Sequence, residues 1–91
     1  MNNQRRKDIR EAMSLLEDAN AKLEQAKSIL ETASEEEREA YENLPESIQE
    51  GERGCAMEEA ADNIDDAVST IDDIMGEVQE VIDNIDNVIN Q

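Results

Sequence analysis

Between Met57 and Ile89 the apolar residues return on a seven-residue clock. Ile64, Ile71, Val78 and Ile85 form one row, Val68, Met75, Ile82 and Ile89 a second, and Ala67, Ile74, Val81 and Val88 a third. The other four positions of each heptad are polar and mostly acidic. Such spacing fits an amphipathic helix and no strand, because a strand repeats every second residue. Three rows also make a stripe wider than one partner helix covers.

A second heptad runs through residues 3 to 43 with different residues. One column reads Ile9, Leu16, Leu23, Leu30, Glu37 and Leu44, and the other places alanine at 12, 19, 26, 33 and 40. Met13, Leu15, Ile29 and Tyr41 widen the stripe. Alanine combines the highest helix propensity with the least bulk, so its column reads as a core position where another helix approaches closely. Glu37 is the one charge in the leucine column, and the plain reading is a wet position where the helices splay.

Residues 44 to 54 carry the punctuation. Pro45 disfavours a helical Leu44 and suits the first turn of a short helix over residues 46 to 50. Gly51 and Gly54 then precede a second long helix over residues 55 to 90. Leu44 and Ile48 are expected to fold against Tyr41 and Met57. Two helices of about 40 and 36 residues, about 60 Å and 54 Å long, joined by a short elbow, predict an antiparallel hairpin. The fold class is therefore all-α, one domain of two long helices and a short helical elbow. With the third row left facing out, association of two hairpins into a four-helix bundle or higher oligomer is expected, a homodimer first.

The expected oligomer interface takes in all three rows of the second helix with Ala12, Ala19, Leu23 and Ala26 of the first. Each Ile or Val buried there contributes roughly 1.5–3 kcal/mol, and 91 residues hide too little surface alone to make that superfluous.

Charge narrows the function. With 25 acidic and 8 basic side chains the net charge is −17, which repels nucleic-acid phosphates and anionic membranes. No direct nucleic-acid binding is expected. No apolar run is long enough to span a bilayer and no signal-peptide core follows the first residues, so a soluble, cytoplasmic protein is expected. Without histidine the usual general base and imidazole ligands are missing. Asp65-Asp66 and Asp72-Asp73 read as a solvated face rather than paired catalytic carboxylates. Neither an EF-hand nor a Glu-x-x-His di-metal pattern is present. The reading is no enzyme, no cofactor and no specific metal.

Asp62, Asp65, Asp66, Asp72, Asp73, Glu77 and Glu80 form the candidate face for a basic partner protein. Arg5, Arg6, Lys7 and Arg10 give the first ten residues a local charge of +3. An antiparallel hairpin should set them beside Asp83 and Asp86, or several copies could gather them into a site for an anionic small molecule. Cys55, unable to form an internal disulfide, and Gly76, at a polar heptad position, read as tolerated small residues.

The elbow Tyr41-Glu42-Asn43-Leu44-Pro45-Glu46-Ser47-Ile48-Gln49, with Gly51-Glu52-Arg53-Gly54 and the acidic heptads beyond, resembles small uncharacterised proteins of phages and prophages of Gram-positive gut bacteria. In those an NLPESLQ…SERGE elbow joins a Lys/Glu-rich helix to IDNLEEA heptads. Gly51 and Cys55 depart from the serine and glutamate of that elbow. The resemblance implies a phage or prophage setting and carries over no functional residue. Three functions follow as expectations: a self-associating acidic protein that binds a partner protein, a nucleic-acid mimic that inhibits a basic host defence protein, and a sponge for an anionic small molecule.

Overall fold

A computed structural model describes the whole chain, Met1–Gln91. Helix α1 spans Asn3–Glu42, the single turn α2 spans Glu46–Gln49, and α3 spans Glu52–Ile89. The hairpin is a rod 69 Å long. Asn2 caps α1, its side-chain oxygen accepting the Arg5 amide at 2.8 Å, which satisfies one orphan donor of the first turn. At the far end Asn43 donates its amide to Glu39 O, and Pro45 then opens α2.

The third helix starts at Glu52, earlier than the position near Cys55 that the glycines suggest. Gly51, in extended backbone, is the residue before the helix, so only one of the two glycines is punctuation. Gly54 lies inside the first turn and is buried for a different reason. A Cβ there would fall 2.0 Å from the Gln49 carbonyl oxygen. Only a hydrogen side chain lets α3 turn this tightly past α2. Gln49 ties the same corner from the other side, its Nε2 donating to Tyr41 O at 3.0 Å. Leu44 is half-buried in this elbow and Ile48 is 38% exposed.

The long helices are antiparallel. Asn20 meets Met75, Lys27 meets Asp72, Ser34 meets Asp65 and Arg38 meets Asp62, one number falling as the other rises. In heptad letters the seam uses positions a and d of both helices. On α3 the a row is Gly54, Ala61, Val68, Met75, Ile82 and Ile89, and the d row is Met57, Ile64, Ile71, Val78 and Ile85. All are buried or half-buried. On α1 the d row is the leucine column, with Glu37 half-buried among them.

The other column of α1 overturns the sequence reading. The second seam row is not the alanine column but Arg6, Met13, Asn20, Lys27, Ser34 and Tyr41, all buried or half-buried. Ala12, Ala19, Ala26 and Ala40 are exposed and Ala33 is half-buried. The physical reason is that α3 already supplies isoleucine or valine along most of the seam from Ile64 onward. Opposite that bulk a polar row works if its heads reach polar groups across the seam, and four of the six do. Leu15 and Ile29 lie farther round, 64% and 70% exposed.

Candidate protein-interaction surfaces

Every polar contact across the seam, apart from the central Asn20, falls on one flank. Lys27 Nζ sits 2.7 Å from Asp72 Oδ1. Arg38 bridges Asp62, at 3.0 Å, and Asp65, and the Ser34 hydroxyl donates to Asp65 Oδ1 at 2.5 Å. Asp65 and Asp72 occupy position e of α3 and Arg38 position e of α1, and antiparallel helices bring their e positions to the same side. The Ser34 hydroxyl, then the Arg38 guanidinium, hold the Asp65 carboxyl below its ordinary range. The hydrogen bond to Asp72 raises Lys27, and Glu58 beside the Tyr41 phenol raises that group.

The opposite flank is defined by position g of both helices and has no polar cross-contact. On α1 it carries the exposed alanine column. On α3 it carries Ala60, Ala67, Ile74, Val81 and Val88, of which Ile74 is 41% and Val81 47% exposed. The rim of α3 beyond it, at position c, reads Asn63, Thr70, Glu77 and Asn84, with a single charge. The third apolar row therefore faces out, and it does so beside the alanines rather than back to back with them.

The expected interface residues accordingly divide. Ile64, Val68, Ile71, Met75, Val78, Ile82, Ile85, Ile89 and Leu23 lie in the seam within the chain. Ala67, Ile74, Val81, Val88, Ala12, Ala19 and Ala26 remain accessible.

The expected acidic face divides too. Asp62, Asp65 and Asp72 are engaged by Arg38 and Lys27, and Glu77 stands on the apolar rim. Asp66, Asp73 and Glu80 form one line with Glu59 at position f, exposed and free of ion pairs. Sequence reasoning missed Glu59, although its heptad spacing to Asp66 was there to find. Neighbours on the line are about 10.5 Å apart along the helix. Duplex phosphates follow each other every 3.4 Å along each strand, so this line is a sparse imitation of nucleic acid.

The basic N-terminus behaves differently from expectation. None of Arg5, Arg6, Lys7 and Arg10 makes an ion pair, with Asp83, Asp86 or any other carboxylate. They point around the first turns of α1 at positions g, a, b and e, and one chain alone does not converge them.

A groove of about 230 Å³ at the elbow is lined by Arg38, Tyr41, Glu42, Met57, Glu58 and Ala61. Its one cation is already committed to Asp62 and Asp65, so it offers an anion nothing free. No three acidic or thiol side chains are placed to hold a metal ion, and no helix is long and apolar enough to cross a membrane. Cys55 is an exposed free thiol.

The molecule is thus an all-α antiparallel helical hairpin with one zipped flank, one bare apolar flank and a separate line of carboxylates. No family model, curated protein or solved structure matches the chain.

Proposed function

We infer that the chain is a non-enzymatic, self-associating acidic protein that binds a basic partner protein. The observation that carries this reading is the segregation of its exposed surface. Four carboxylates of α3 that Lys27 and Arg38 leave free, Glu59, Asp66, Asp73 and Glu80, are aligned at one heptad position, while isoleucine and valine stand bare on another side. An apolar flank of that kind drives association in water, and a line of unpaired carboxylates recognises cations at matching spacing. The resemblance of the elbow adds a phage or prophage setting.

The test is a pull-down with the intact protein and with the variant Asp66→Asn, Asp73→Asn, Glu80→Gln. A specific partner captured at low salt, released at high salt and lost in the variant supports the reading. A partner equally retained by the variant, or none above background, overturns it. Light scattering checks the other half, since a folded monomer at micromolar concentration removes self-association.

A further inference from the structure

We propose that the bare g flank takes a second copy of the same chain with its elbow at the opposite end, so that the basic N-terminus of each copy lies along the acidic elbow half of the other. The inference rests on the self-association in the proposed function and specifies its face and direction.

Charge decides the direction. Residues 24–74, the elbow half, hold 17 acidic and 3 basic side chains, a net of −14. Residues 1–23 and 75–91, the open half, hold 8 acidic and 5 basic, a net of −3. Two copies docked with elbows together would set −14 against −14 along half the rod. Reversing one copy sets each −14 against −3. Packed helices have axes about 8–10 Å apart, about one Debye length at ordinary salt, so the difference between the facing halves is felt. Reversal also gives Arg5, unpaired in its own hairpin, an acidic run to face, whereas Arg6 lies in the seam and Arg10 on the zipped flank. Arg5 stands at position g, on the docking flank itself.

Shape agrees. A two-fold axis across the rod stacks α1 on α1 and α3 on α3. Leu15 and Ile29, the most exposed aliphatic side chains at 64% and 70%, lie nearly equally far from the middle of α1. Reversal therefore brings Leu15 of one copy level with Ile29 of the other. A two-fold axis along the rod would instead stack α1 on α3 and set them against polar Asn84 and Thr70. The alanine column lets the α1 helices approach closely. The flank from Ala12 to Ala40 is about 42 Å long and the rod 15 Å wide. That gives roughly 600 Å² per copy, at the lower bound for a stable interface.

Cys55 supplies the test, being the only cysteine, exposed and near the elbow. Spin labels on it in the full chain should lie about 60 Å apart in the reversed dimer, against about 20–30 Å with elbows together. Light scattering should give twice the 10.2 kDa chain mass. Val81→Lys and, on the other helix, Ala19→Glu should each raise the dissociation constant at least tenfold with helicity retained, while Gln79→Lys on the zipped flank leaves the dimer intact. A dimer with the short distance overturns the direction and leaves self-association standing. A dimer indifferent to both Val81→Lys and Ala19→Glu overturns the flank. A monomer overturns this inference together with the reading beneath it.

Discussion

Asp65 is the most heavily used carboxylate in the chain, accepting from Ser34 and Arg38 together. Its pKa is lowered in the folded state, so the unfolded chain binds the proton more readily as pH falls. The stabilisation is thus fully present above the ordinary aspartate value near 3.9. It is lost as pH drops through the lower folded value. Denaturant midpoints between about pH 2 and 5 should fall more steeply for the native chain than for Asp65→Asn, and equal slopes would contradict this. The two helical glycines give opposite expectations. Gly54→Ala drives a methyl into the Gln49 backbone and should cost roughly 1–3 kcal/mol or more. At Gly76 an added methyl would meet nothing within 4 Å, so Gly76→Ala should gain up to about 1 kcal/mol from helix propensity alone. Thermal melts of the two variants, shifted in opposite directions, check both.

At the scale of the elements, the heptads told which residues of α3 meet α1, because three apolar rows leave few ways to orient a helix. They misled for α1. A column of five alanines and a column of arginine, methionine, asparagine, lysine, serine and tyrosine sit on either side of the leucines, and apolarity alone selects the alanines. What selected the mixed column instead is pairing across the seam, and which polar residues face each other depends on a register that neither helix contains by itself. The two uses of the acidic residues on α3 were hidden for the same reason. Asn20 shows the cost of such a seam. Its Nδ2 donates to Met75 O at 3.1 Å, while its Oδ1 is buried without a partner. Replacing it with an apolar residue removes an unsatisfied acceptor, and a lone polar seam residue is a known device for fixing register. Asn20→Leu should therefore raise stability by about 1–2 kcal/mol while broadening the amide spectrum as alternative registers become populated. Urea unfolding and two-dimensional NMR of the variant read the two effects separately.

For the whole molecule, a net charge of −17 opposes every contact between copies. Screening weakens that repulsion more than it weakens a few rim ion pairs, so the dissociation constant of the self-associated form should fall severalfold between about 20 and 300 mM salt, read by analytical ultracentrifugation. A rise would mean that the contact is held chiefly by ion pairs. Capture of the proposed basic partner along Asp66, Asp73 and Glu80 should respond to salt in the opposite sense. The order of contacts along the seam also bears on how the rod forms. The cross-seam polar contacts are graded by the length of chain they close: 24 residues for Arg38 to Asp62, 31 for Ser34 to Asp65, 55 for Asn20 to Met75. Closure entropy favours the shortest first. Loop closure therefore favours zipping from the elbow outward, with alignment tested on directional bonds before the non-directional grip of Ile82 and Ile89 is reached. A chain that slips by one heptad is caught while it is still cheap to reopen.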